Sequence, residues 1–168
     1  MKILKTVVIL TICYSYSWSQ ETKLSAFTPL IGKVWKAEGN WGDGSKFKQE
    51  IVFHFDLNNT IVIAESKGYT NKEQTEFGPR NHGIRRYNPE KQTIEFWEFD
   101  VFGGVTTGTV KSEDKNIIYT YAYGTSTVTD MWEYVDDNTY MFKVGDYQNG
   151  EWKQLYLETK FTAGNKKR

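Results

Sequence analysis

Cysteine is nearly missing from this chain of 168 residues, with Cys13 as its only example. A disulfide within one chain needs two, so small scaffolds stapled by disulfides are excluded. Histidine is almost as scarce. His54 and His82 have no ligand partner at helical or hairpin spacing, which argues against a zinc or non-haem iron site. Charge of one sign is missing too: 21 basic residues face 21 acidic ones, and no basic excess points to nucleic acid. No apolar run approaches the roughly 20 residues that span a bilayer as a helix. Nucleophile elbows, paired-carboxylate motifs and glycine-rich phosphate loops are not visible either, so no catalytic residue and no metal ligand is assigned.

What is present begins with a leader. Lys2 and Lys5 form a short basic head, residues 6–13 are apolar, and Ser17 and Ser19 supply small side chains for a cut before Gln20. Residues 1–19 are therefore expected to be a signal peptide, and the protein to be exported to the periplasm or beyond the cell. Cys13 as a lipidated residue after Leu10, Thr11 and Ile12 is the alternative. Ile12 stands where that motif normally has a small side chain, so lipoprotein anchoring is not expected. Cleavage would remove Cys13, and with it thiol catalysis. The 21 basic residues would lose Lys2 and Lys5, giving 19 against 21 acidic and a formal charge of −2. The remaining chain, about 149 residues long, can bury roughly 68–70% of its unfolded surface and stand on its core alone.

One domain is expected over residues 20–163, followed by a basic tail over 164–168. Leu24, Phe27 and Leu30 suggest a short helix, stopped by Pro29 and Gly32. The hydrophobic period then changes to two. Ten strand-like runs follow at residues 34–40, 46–57, 60–70, 79–88, 92–100, 105–112, 116–123, 126–135, 139–146 and 151–163. Their connections, such as Asn58-Asn59, Asp136-Asp137-Asn138 and Gln148-Asn149-Gly150, are short and turn-prone, and none has room for a crossover helix. An all-β fold follows: a ten-stranded antiparallel up-and-down barrel with a short N-terminal helix, closed so that no edge strand is exposed.

Alternation within the runs predicts an aromatic interior with embedded polar groups. Phe47, Gln49, Ile51, Phe53 and Phe55 share one side, opposite Lys46, Lys48, Glu50, His54 and Asp56. Tyr119 and Tyr121 share a side, as do Asp130 and Trp132. The fourth run is the densest in polar chemistry. With its even positions inward, Arg80, His82 and Arg86 line the cavity, where arginines can clamp an acid while aromatic walls hold an apolar body. The plainer alternative pairs these arginines with Glu65, Glu98 or Asp130. A one-residue shift would exchange the three for Asn81, Arg85 and Tyr87. Trp97 and Trp132 are candidates for stacking on a ligand, although barrel cores also use tryptophan as filler. Trp41, among Asn40, Gly42, Asp43 and Gly44, and the loop Val101-Phe102-Gly103-Gly104 are candidates for gating the cavity mouth.

The short helix, Leu30-Ile31-Gly32-Lys33-Val34-Trp35, the meander and the aromatic hairpin from Met131 to Tyr140 together resemble the calycin barrels. These include lipocalins, fatty-acid-binding proteins and nitrobindin-type barrels, and the similarity is nearest to bacterial lipocalin-like proteins of unknown function. It runs over most of residues 24–162. The chain departs from the pattern in having two residues, Lys33 and Val34, between Gly32 and Trp35 where one is usual. The resemblance implies a barrel that binds a small hydrophobic or amphipathic molecule, which the arginines allow to be acidic. It also implies no haem, because nitrobindin-type barrels take an axial histidine from near the C-terminus and no histidine follows His82. No cofactor is expected. The alternative function is a cofactor-independent isomerase, cyclase or hydrolase using His82 with an acid such as Asp130 or Glu98.

Overall fold

The computed structural model of the chain describes residues 23–165. The leader expected over 1–19, Cys13 within it, and the last three residues of the basic tail lie outside the described residues.

Leu24, Phe27 and Leu30 recur every third position, the period at which side chains of a 3₁₀ helix stack along one face. Ser25–Leu30 folds as such a helix, and the side chains of all three are buried. Gly32, with φ of 77°, then turns the chain into the first strand. Trp35 ties the two together: its indole Nε1 donates to the carbonyl of Leu30 at 3.0 Å.

Ten strands follow: β1 (Lys33–Asn40), β2 (Lys46–Asp56), β3 (Ile61–Tyr69), β4 (Phe77–Asn88), β5 (Thr93–Asp100), β6 (Val105–Glu113), β7 (Asn116–Tyr123), β8 (Ser126–Asp136), β9 (Thr139–Gln148) and β10 (Glu151–Asn165). Each pairs antiparallel with the next, and β10 returns to β1 with Trp35 opposite Ala163, so the sheet closes as the expected ten-stranded barrel. Gly164 and Asn165, expected to begin the tail, are instead the end of β10, opposite Val34 and Lys33. Among the described residues no helix is long and apolar enough to cross a membrane.

In such a meander, alternate turns lie at opposite ends of the barrel. The 3₁₀ helix closes the end where β1 starts. Phe27 lies 6.4 Å from Phe53 of β2 and 6.5 Å from Tyr119 of β7, measured between ring centroids. These strands are five apart in a ring of ten, so Phe27 sits between opposite walls. Above it is a layer of interlocked rings: Trp132 stacks on Phe161 at 4.4 Å, and Trp35 meets Tyr140 edge-on at 5.3 Å. Offset and edge-on arrangements of this kind contribute beyond the area they bury. The other end is formed by the turns after β1, β3, β5, β7 and β9.

The inward face of β2 is the one its alternation predicts, with Ile51 and Phe53 buried and His54 exposed. In β4 the expected parity is reversed. Paired residues on neighbouring strands point to the same side, and β3 turns Val62, Ala64 and Ser66 inward, opposite Arg85, Gly83 and Asn81. Arg80 is the extra residue of a bulge, since Ser66 pairs with Asn81 and Lys67 with Pro79. His82 and Arg86 therefore lie on the outer wall. Trp97 is also outward, between the buried Phe96 and the inward Glu98, and the guanidinium of Arg86 lies 5.9 Å from its ring centroid.

Candidate functional site

Between the aromatic layer and the open end, the barrel holds a cavity of about 180 Å³. Its walls are apolar where β2, β7, β8 and β9 contribute Ile51, Phe53, Tyr121, Trp132 and Phe142, together with Phe96 of β5. Its polar groups are Gln49, Asn81, Arg85, Glu98, Thr106 and Asp130. They come from β2, β4, β5, β6 and β8, so only closure of the barrel brings them together.

Arg85 is the central group. Its side chain is 5% exposed, and its Nη2 lies 2.8 Å from Oε2 of Glu98, which is 17% exposed. That oxygen lacks the alignment of a hydrogen bond, so attraction between charges links the pair. Nε donates to the hydroxyl of Tyr119 at 3.1 Å, and the guanidinium carbon lies 5.3 Å from the Tyr119 ring centroid. Nη1 has no hydrogen-bond partner among the described residues. Gly83 makes this arrangement possible, because a Cβ there would fall 2.0 Å from both Arg85 Nη1 and Glu98 Oε2. Burial opposes the charged guanidinium, but Tyr119 and Glu98 outweigh it and hold its pKa above the ordinary arginine value.

Asp130 is the second acid. It accepts a hydrogen bond from the hydroxyl of Tyr121 at 2.9 Å. Burial pushes its pKa up to about 7. The Tyr121 hydrogen bond opposes that rise, the charge of Glu98 adds to it, and Arg85 opposes it. Burial likewise raises the phenols of Tyr119 and Tyr121, the latter also through the charge of Asp130. The interior therefore sets the Arg85 guanidinium against Glu98 and, near neutral pH, holds in Asp130 a carboxyl group poised between its two forms.

Of the residues named from sequence, the barrel brings Tyr119, Tyr121, Asp130 and Trp132 to this cavity. It does not bring Arg80, His82, Arg86 or Trp97 there. His82 is on the outer wall, 53% exposed, with Nδ1 3.8 Å from Oε1 of an equally exposed Glu65. A general acid–base pair of His82 with Asp130 or Glu98 across the cavity is thereby corrected: the imidazole is on the wrong side of the sheet. Trp41 and Arg80 are at the open end. With Phe47, Gln49, Tyr69 and Phe102 they line a recess of about 230 Å³ that shares Gln49 with the cavity. Trp41 meets Phe47 edge-on at 5.7 Å, while Arg80 donates to the carbonyl of Tyr69 and lies 5.1 Å from the Phe102 ring. The two loops considered as gates thus flank one opening. Among the described residues no group of three histidine, cysteine or acidic side chains could hold a metal ion.

Sequence reasoning favoured the other parity of β4 and so held Arg85 and Asn81 only as the residues a one-residue shift would bring in; Gln49 stood on the predicted inner face without being named a site residue, and Thr106 was missed. The available signal was Gly83: a glycine within a strand, two residues before an arginine, marks a place where something bulky must pass close to the backbone. No protein-family model matches the chain, and no curated protein matches it either.

Proposed function

We propose that this protein is an exported barrel, calycin-like in architecture, that binds a compact hydrophobic or amphipathic molecule in its interior. The observation that carries this reading is an aromatic-walled cavity of about 180 Å³ into which the Arg85–Glu98 pair, Asp130, Gln49, Asn81 and Thr106 bring polar chemistry that a merely packed core would not need. A cavity of about 180 Å³ accommodates a single-ring molecule and is too small for a long acyl chain. The opening beside Trp41 and Phe102 supplies a route of entry. The basic head, apolar run and small residues of 1–19 support export, with Gln20 as the expected first residue of the mature chain.

Native mass spectrometry of the protein purified from its own host tests the reading. A small molecule released on denaturation is the expected result. Bare polypeptide that captures nothing from host extract would overturn it. A second reading, a cofactor-free acid–base enzyme, is favoured by one observation: a carboxyl group raised toward neutrality against a tyrosine hydroxyl, in Asp130 and Tyr121. A captured molecule recovered chemically altered, by a protein that loses this ability as Asp130→Asn, would favour the enzyme.

A further inference from the structure

We propose that the cavity selects an uncharged ring compound that carries a hydrogen-bond-accepting oxygen, and that it discriminates against carboxylates of the same size. This rests on the binding reading above and specifies the chemistry of the occupant.

An isolated buried arginine would favour an anion, but Arg85 is not isolated. Its charge is already matched by Glu98 at 2.8 Å, and no other cationic side chain lines the cavity. Asp130 contributes either no charge or a further negative one. The interior is therefore neutral or negative overall. A carboxylate entering it would meet at least as much negative as positive charge, while giving up its hydration. Binding an acid bidentately would also require breaking the contact with Glu98, which is itself mostly buried.

The hydrogen-bonding inventory points the same way. Arg85 is committed to the wall, with Nε donating to Tyr119, Nη2 facing Glu98 and Nη1 packed where a Cβ on Gly83 would fall, while the side-chain amides of Gln49 and Asn81 and the hydroxyl of Thr106 line the cavity as donors. The hydroxyl of Tyr119 accepts from Arg85, so its own proton is available to donate. A carbonyl or amide oxygen fits between such donors without adding charge. A purely apolar ring would fill the volume but leave these donors unpartnered, and sites built around buried polar groups reject such analogues. Phe96 and Tyr121, 6.1 Å apart and edge-on, supply flat walls for the ring.

Calorimetric titration of the intact protein at about pH 6, using four probes of one size, tests the proposal: benzamide, benzoate, benzylammonium and toluene. Benzamide is expected to bind at least about tenfold more tightly than each of the others. Benzoate binding as tightly as benzamide would overturn the charge argument while leaving a binding cavity. Toluene doing so would overturn the role of the polar lining, and benzylammonium doing so would overturn the preference for a neutral occupant. Failure of all four up to about 10 mM would overturn the binding reading and this inference with it. Two variants place the site. Asp130→Asn removes the acid that is not paired with Arg85 and is expected to narrow the gap between benzoate and benzamide. Thr106→Leu, directly opposite Glu98 on the neighbouring strand, adds volume to the cavity wall and is expected to weaken benzamide at least about tenfold, with circular dichroism confirming the fold. An unaltered gap in the first, or unaltered benzamide binding in a folded second, would refute the placement.

Discussion

Asp130 converts the interior of the barrel into a pH dependence of stability. Its carboxyl rises from an ordinary 3.8 to about 7 in the folded protein, mainly through burial. Between these values the folded protein holds a proton that the unfolded chain has released. The associated stability is fully present below about pH 4 and is lost as pH rises through 7. At about 1.36 kcal/mol per unit, the whole effect is at most about 4 kcal/mol, and the part lost between pH 5 and pH 8 is at most about 3 kcal/mol. Asp130 opens onto a cavity that water can enter, so about 2 kcal/mol is the better expectation for that interval. The groups facing it are Arg85 from β4, Glu98 from β5, and Tyr119 and Tyr121 from β7. All remain in an Asp130→Asn variant and cancel in a comparison. Urea unfolding of both proteins at pH 5 and pH 8 is the assay. The wild-type protein should lose about 2 kcal/mol relative to the variant on going from the lower to the higher pH. A difference constant to within about 0.5 kcal/mol would mean that Asp130 is ionised throughout, and the electrostatic account of the cavity would fail.

Three further outcomes follow from the packing. Arg85→Leu and Glu98→Leu should each cost about 3–5 kcal/mol in urea unfolding, because each leaves a mostly buried charge without its partner. The double variant should cost less than their sum by about 2 kcal/mol, and strict additivity would show that the pair does not interact. Gly83→Ala should destabilise by about 2–4 kcal/mol, since its Cβ would meet both members of the pair at 2.0 Å, whereas Gly78→Ala, whose nearest neighbour would be Thr70 Cγ2 at 3.4 Å, should cost less than about 1 kcal/mol. Trp132→Ala removes the ring stacked on Phe161 at 4.4 Å and should cost about 3–5 kcal/mol. The accompanying loss of near-ultraviolet dichroism would confirm that the aromatic layer, rather than the sheet alone, had loosened.

The strands were legible because their signals are local. Asn149-Gly150, with φ of 52° and 84°, is a turn that few other residue pairs would adopt, and it joins β9 to β10 where the change of pattern places it. In β2 each inward position is apolar or Gln49 and most outward positions are charged, so one strand reveals its own parity. The helix period was legible too, although Leu24, Phe27 and Leu30 fit a 3₁₀ helix better than an α-helix. The fourth strand offers no such contrast. Arg80, Asn81, His82, Arg85 and Arg86 leave polar groups on both faces, and Ile84, the one aliphatic side chain among them, points outward. Its parity is imposed by β3, where Ala64 and Ser66 face inward, and by the bulge at Arg80. Both facts depend on pairing, which the alternation within one strand cannot carry.

The same non-local compensation explains why Arg85 and Trp97 exchanged their expected places. An arginine inside and a tryptophan outside would each be unfavourable alone. Arg85 is tolerated because Glu98 reaches it from the neighbouring strand and Gly83 leaves the space between them. Trp97 is tolerated because Arg86 covers its outer face. Stability gives little reason for this arrangement, since well-packed apolar side chains in place of a buried ion pair often leave a protein as stable or more so. A barrel that needed only to be filled could extend its aromatic layer from Trp132 and Phe142 up through positions 83, 85 and 98. It instead places a charged pair, a tyrosine hydroxyl and a second carboxyl around a cavity, with one arginine nitrogen left over. That is poor design for a core and reasonable design for holding a neutral polar molecule.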